Sequence, residues 1–250
     1  MRPVRTAILL AAGRGTRLAA AVGGEGPKTL VPIQGRTLLE RHTAALAAVG
    51  VEHIVLVVGH AAARVRAAAE GLAPRYGVRF SFVENPDYAQ TNTVVSQYLA
   101  RAHLADGCFC LNGDVLFGEG VLRRLLDADA PAALAIDVKR CGDEEVKAVV
   151  CGDRVIRLGK RIDPELALGE FIGVARYDAE AGRRFAEALA HAVERQHSRT
   201  DYFEVALDAI AGTCPLRAVP TGDEPVIEID TPDDLRRALV EVAPRLAWCA

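Results

Sequence analysis

No Cys-x-x-Cys pair, no two histidines at metal-ligand spacing within a helix, no Lys/Arg-rich run and no apolar stretch of membrane-spanning length occur in the 250 residues. The first absence argues against a zinc site or a disulfide frame. Cys108, Cys110, Cys141, Cys151, Cys214 and Cys249 therefore read as reduced thiols of a cytoplasmic protein, with Cys108 and Cys110 on one face of a strand. The second absence removes histidine-based metal chemistry. The third, with a net charge of −3, leaves no electrostatic reason to expect nucleic acid as a partner. The fourth gives no expectation of a membrane segment. The opening MRPVRTAILLAAGRGTR runs into a Gly/Arg loop instead of a cleavage site, and so reads as a first strand. Aromatic residues are scarce as well, 5% of the chain, and Trp248 is the only tryptophan.

What is present is a hydrophobic half of the composition, enough to bury the core of one sizeable α/β domain. Short apolar runs alternate with Ala/Leu/Arg-rich helical stretches. Strands are expected at 6–10, 53–58, 79–83 and 108–111, and helices at 38–49, 61–70, 94–102 and 119–126. HIVLVV at 53–58 is apolar throughout, as in a strand buried on both faces. Strand, loop and helix recur, which predicts a Rossmann-like, mostly parallel sheet with helices on both faces. After Pro131 the spacing changes: 132–138, 146–150, 155–158 and 170–177 read as closely connected strands, so a small β-rich antiparallel insertion is expected at about 132–176. Helices return at 179–195 and 202–210. A last strand at 226–229 leads into a helix capped by Thr231 with Pro232 at its first position. No internal repeat or long linker divides the chain, and 1–250 is read as one domain.

The strongest local signal is the turn Leu10-Ala11-Ala12-Gly13-Arg14-Gly15-Thr16-Arg17-Leu18, followed by Pro27-Lys28. Gly13 and Gly15 let backbone amides approach an anion, and Arg17 and Lys28 supply positive charge for a polyphosphate. A dinucleotide fingerprint needs Gly where Leu18 stands, and a Walker loop needs Gly where Pro27 stands; both fail. The segment resembles the opening of the NTP-dependent nucleotidyltransferases that act on phosphorylated sugars, alcohols and amines. Glu84-Asn85-Pro86-Asp87-Tyr88-Ala89-Gln90-Thr91-Asn92 with Ser96 is most similar to the cytidylyltransferases of phosphocholine, aminoethylphosphonate and inositol 1-phosphate. Leu158-Gly159-Lys160, Gly169-Glu170-Phe171-Ile172-Gly173 and Glu228-Ile229-Asp230-Thr231 continue the resemblance along nearly the whole chain.

Asp114, in Asn112-Gly113-Asp114, leaves the sheet after an apolar strand, where open parallel sheets bind ligands. Glu228 and Asp230 share one face by the strand period of two. The three carboxylates are candidate ligands of Mg²⁺, with a turn role for Asp114 and a capping role for Asp230 as the plainer alternatives. The resemblance implies metal binding by Asp114 and Asp230, base contacts by the backbone of Ala11, Ala12 and Gly13, and nucleotide binding by Leu10, Gly15 and Thr16 in the same loop. It further implies in-line attack of an acceptor oxygen on the NTP α-phosphorus, with Lys28, Arg17 and Lys160 neutralising charge. Lys160 could equally be a solvated strand-end lysine. Asn85, Tyr88, Thr91, Asn92 and Ser96 suit a pyrimidine edge or an ordinary helix start, with Thr93 as the cap. The implied partners are an NTP, CTP favoured, and a small phosphorylated or phosphonate acceptor. Lys160, Glu170 and Tyr202 are acceptor-side candidates, while Phe171, Tyr177 and Phe203 divide between an aromatic cage and the core. A sugar 1-phosphate uridylyl- or thymidylyltransferase and a non-catalytic nucleotide-binding protein of the same fold are the alternatives.

Overall fold

Strand β1 (Thr6–Ala11) carries apolar side chains on both faces, and each face is covered, so it lies at the centre of the molecule. This is seen in a computed structural model that describes residues 3–19, 23–24 and 26–246; Trp248 and Cys249 lie outside them. A small hairpin of β2 (Pro32–Ile33) and β3 (Arg36–Thr37) follows. Next come α1 (Leu38–Ala48), β4 (His53–Val58), α2 (Ala62–Tyr76), β5 (Arg79–Glu84), α3 (Thr93–Leu99) and β6 (Cys108–Asn112). The chain continues through β7 (Val115–Phe117), α4 (Gly120–Asp127), β8 (Ala132–Asp137), β9 (Lys147–Cys151), β10 (Arg154–Gly159) and β11 (Gly169–Tyr177). It ends with α5 (Ala179–Ala190), α6 (Glu204–Ile210), β12 (Leu216–Pro220), β13 (Val226–Glu228) and α7 (Pro232–Arg237).

The main sheet has the order β5-β4-β1-β6-β11-β8-β12-β10-β9. Its first four strands are parallel; β11 runs antiparallel to both β6 and β8, while β12 is parallel to β8. The fold is the expected α/β type, with a parallel half and a mixed half. Strands from 132–177 are continuous with this sheet, and the β9–β10 hairpin forms its far edge. Ile8 and Leu10 face a core shared with α3, α5 and α6, whereas Ala7, Leu9 and Ala11 face one shared with α1, α2 and α4. Both cores bury their side chains almost completely, the main favourable term for the fold. No helix of the described residues is long and apolar enough to cross a membrane.

From β1 the chain moves outward to β4 and β5, then returns to β6 on the opposite side of β1. That reversal opens a crevice at the carboxyl ends of β1 and β6. Beside it, β7 and β13 pair antiparallel, with Glu228 opposite Val115, apart from the main sheet. A third apolar cluster of Leu18, Val31, Ile33, Leu38, Leu116 and Ile229 ties this ribbon to the loop after β1.

Candidate active site

A cleft of about 490 Å³ lies over the crevice. Leu10, Ala11, Ala12, Gly13, Gly15, Thr16, Arg17 and Lys28 form one wall, and Asn85, Tyr88, Thr91, Asn92 and Ser96 form another. Asp114, Glu228 and Asp230 stand on its floor, with Lys160 and Tyr202 at the far end.

Two backbone approaches make this shape. Gly15 has φ +64°, and a Cβ there would sit 2.6 Å from the Gly26 carbonyl oxygen; glycine lets the turn fold back over the segment that brings Lys28. Gly113 packs where a Cβ would overlap the Leu10 carbonyl, so the exit of β6 lies against β1 and Asp114 enters the cleft. Asp114 is then joined to the distant Asp230 by the β7–β13 pairing, whose last bond runs from the Ile229 N–H to the Asp114 carbonyl at 2.9 Å. From the other side, buried His42 holds Val115: its Nε2 lies 2.7 Å from the Val115 carbonyl oxygen, and burial pushes its pKa down to about 4. At neutral pH the ring is uncharged and donates its Nε2–H to that oxygen.

One oxygen from each of Asp114, Glu228 and Asp230 falls within 4.8 Å of the others. Their charges are incompletely balanced. Glu228 opens to the water of the cleft, yet burial and the neighbouring Asp114 and Asp230 push its pKa up to about 8. Lys28 donates to Asp114 at 3.0 Å and also bonds Asp230; Arg17 Nη2 donates to the other Asp230 oxygen at 2.7 Å. Burial acts to depress the Lys28 ammonium, but Asp114 and Asp230 outweigh it and raise its pKa. Burial acts to raise Asp230, and Lys28 and Arg17 outweigh it in the opposite direction. Three converging carboxylates with an ammonium between two of them form a hard-oxygen donor set that fits Mg²⁺, with Lys28 as a stand-in cation.

Several expected contacts take a different form. Lys28 touches carboxylates in this state. Asn85 is buried and donates to Thr91 Oγ1 and Ser96 Oγ, both at 3.1 Å, while its Oδ1 accepts from the Asp87 N–H. These side chains brace the loop that carries Tyr88. The expected cap of α3 is corrected: Asn92 accepts from the Thr93 N–H at 2.8 Å, and the Thr93 hydroxyl accepts from the Phe203 N–H at 3.0 Å. Glu170 is also corrected, because its place on β11 opposite Asp137 turns its carboxylate to Lys139 at 2.6 Å instead of into the cleft. Lys160 does line the cleft, its ammonium 4.4 Å from the Tyr202 ring centroid. Buried Lys147 donates to the Lys160 carbonyl at 2.6 Å and to those of Asp143 and Glu145, anchoring the stretch that presents Lys160. Tyr177 and Phe203 are core residues, whereas Phe171 borders the cleft. Thr29 and Asn112 were not expected among the site's side chains; each has a buried oxygen without a partner among the described residues. The Pro-Lys-Thr and Asn-Gly-Asp strings hold the only signal for them, through the neighbouring Lys28 and Asp114.

Residues 7–167 match the family model of the MobA-like NTP transferase domain. Among curated proteins, the chain is 35% identical over 253 residues to a CMP-5'-(3-aminopropyl)phosphonate synthase of Streptomyces rubellomurinus. That match takes in 97% of this chain and 39% of the relative, so the chain spans well under half of that protein. Its fold is similar to that of the inositol-1-phosphate CTP transferase from T. maritima, with a TM-score of 0.78, 22% identity and coverage of 98% and 99% of the two chains. The CTP:phosphocholine cytidylyltransferase from Streptococcus pneumoniae also gives a TM-score of 0.78, at 24% identity and with 94% and 97% covered.

Proposed function

Because the chain belongs to the MobA-like NTP transferase domain family, we propose that it is a Mg²⁺-dependent cytidylyltransferase joining CMP to a small phosphonate or phosphorylated acceptor. The observation that carries this reading is the convergence of Asp114, Glu228 and Asp230 beside Lys28, Arg17 and an amide-lined turn. An acceptor phosphonate or phosphate oxygen attacks the α-phosphorus of the NTP. A bond forms from that oxygen to phosphorus, the bond to the β-phosphate oxygen breaks, and pyrophosphate leaves. The attacking oxygen is already anionic, so no general base is required, in keeping with a cleft that no histidine lines among the described residues.

Catalysis on this reading is positioning and charge neutralisation. Asp114, Glu228 and Asp230 would hold Mg²⁺, which when bound neutralises phosphate charge. Lys28 and Arg17, relieved of the carboxylates, turn to the triphosphate. The backbone from Leu10 to Gly13 and the loop bearing Tyr88 take the nucleoside. Lys160, in the turn just after β10, takes the acceptor's anionic end. Preference for CTP and for a phosphonate follows the names of the relatives, and the cytoplasm, where NTPs are held, is the proposed place of action.

The test is pyrophosphate release with ATP, GTP, CTP and UTP against 3-aminopropylphosphonate, aminoethylphosphonate, phosphocholine, inositol 1-phosphate and a hexose 1-phosphate. Turnover is expected with CTP and a phosphonate or phospho-alcohol acceptor. Preference for UTP with the hexose 1-phosphate, or silence with every pair, overturns the reading. Asp114→Ala should cut kcat/KM about a thousandfold or more with an unchanged circular dichroism spectrum. Near-normal turnover in that variant refutes the metal assignment.

A further inference from the structure

One buried carboxyl group lining the cleft has an oxygen without a hydrogen-bond donor among the described residues. Glu204 opens α6 and is only 5% exposed, and its Oε2 is buried with no hydrogen-bond partner among the described residues. It lines the far end of the nucleotide cleft and also a second cavity of about 340 Å³. The two spaces share Val146, Lys160, Tyr202 and Glu204, so Glu204 stands at their junction.

The two other carboxylates of the second cavity have donors. Asp208 accepts from Arg157 at 3.0 Å and from the Leu158 N–H at 2.8 Å, and Asp201 accepts from Ser198 at 2.6 Å. The Lys160 ammonium lies over the Tyr202 ring, 3.7 Å from Glu144. A buried carboxyl oxygen with no donor is costly in a folded protein unless something supplies one. Burial pushes the Glu204 pKa up to about 7, against the pull of its own backbone N–H and of Lys160. Arg161 also lines the second cavity, but neither it nor Lys160 donates to Glu204 Oε2, which is left open to a donor from a bound molecule.

We propose that Glu204 receives the primary ammonium of an ω-aminoalkyl acceptor, whose anionic end lies toward Lys160 and Asp114 and whose methylenes cross Phe171 and Tyr202. This deepens the acceptor reading above and rests on it. A donor nitrogen is favoured over a trimethylammonium group, because Oε2 needs an N–H and one face of Tyr202 is taken by Lys160. It is favoured over a hydroxyl because an ion pair both supplies the donor and balances the charge.

The decisive comparison is kcat/KM for 3-aminopropylphosphonate against propylphosphonate, which lacks only the nitrogen, in the full chain and in Glu204→Gln. The unmodified chain should prefer the amine by about a hundredfold, and the variant by about threefold or less, the loss of one charged hydrogen bond in a dry site. Glu204→Asp keeps the charge but withdraws it, and should shift the optimum toward 4-aminobutylphosphonate. An equal preference in the unmodified chain and Glu204→Gln overturns the proposal, as does a preference for 3-hydroxypropylphosphonate over the amine. If no acceptor releases pyrophosphate, the function proposed above fails by itself. Calorimetric binding of 3-aminopropylphosphonate to the same proteins then decides the role of Glu204, with no loss of affinity in Glu204→Gln as the contrary result.

Discussion

Lys28 shows how one side chain serves the fold before it serves a ligand. Its ammonium is mostly buried between Asp114 and Asp230, with Glu228 close behind. Without it, three carboxylates face one another across less than 5 Å. Replacing Lys28 by Met should therefore destabilise the protein by about 2 kcal/mol, after allowance for the water that reaches the cleft. Millimolar Mg²⁺ should restore much of that loss by standing in the same place. Urea unfolding of Lys28→Met with and without Mg²⁺ measures this, and a variant as stable as the parent in metal-free buffer contradicts it. Glu204 makes the complementary pH prediction. Its folded pKa, about 7, lies above the ordinary carboxyl value of 4.5, so the folded state holds a proton that the unfolded chain releases between those limits. Stability is then full below pH 4.5 and declines as pH rises to about 7, by on the order of 3 kcal/mol, with Lys160 opposing and Asp114 reinforcing the effect. Glu204→Gln should melt higher than the parent at pH 8 and close to it at pH 4.5. The electrostatic balance of these residues is not legible in sequence. Lys28 could be read as a cation near phosphates, but its pairing with Asp114 and Asp230 depends on residues 86 and 202 positions away.

Elements carry the placement. The strands with apolar runs, β1, β4 and β6, fall within a residue or so of their expected limits, since burial on both faces leaves a strong local signal, and the part-exposed edge strand β5 does so too. The short β2, β3, β7 and β12 were not expected; at two to five residues they have no period to detect and exist because a partner strand is there. The helix expected at 61–70 runs on to Tyr76, past Pro74, because Gly77 closes it in the left-handed conformation. Thr231 does cap α7, in a reciprocal capping box with Asp234 that sets the chain direction just after Asp230. The loop after β1 was the most legible element, and of its two glycines Gly15 is demanded by geometry. Gly15→Ala tests it. A left-handed alanine costs about 1–2 kcal/mol, and its Cβ would press on the Gly26 carbonyl. The turn should shift away from Lys28, raising KM for the NTP about tenfold while far-ultraviolet circular dichroism is retained. An unchanged KM would show that the Gly15 conformation does not shape the nucleotide site.

At the scale of the whole molecule, family match and folding unit do not end at the same place. The family model closes at residue 167, two residues before β11 begins. Yet β11 is the nine-residue strand that stitches the parallel half to the remainder, pairing with β6 on one side and β8 on the other. Its burial is complete along its length, and Phe171, Ile172, Val174 and Tyr177 divide between the two cores. At about 2 kcal/mol for each large apolar side chain, those four represent on the order of 8 kcal/mol, comparable with the net stability of a typical domain. A chain ending at 167 would also expose the paired edges of β6 and β8 and would lack Asp230, Glu228 and Glu204. The sequence suggested a β-rich segment from about 132, but not that its last strand would lie mid-sheet, because strand order is set by long-range pairing and leaves no local trace. A fragment of residues 1–167 should therefore lack a cooperative thermal transition and be digested by protease within minutes under conditions that leave the 250-residue chain intact. A fragment that melts cooperatively near the full chain's Tm would place the stabilising core in the parallel half alone, and β11 would then be an addition to a unit that folds without it.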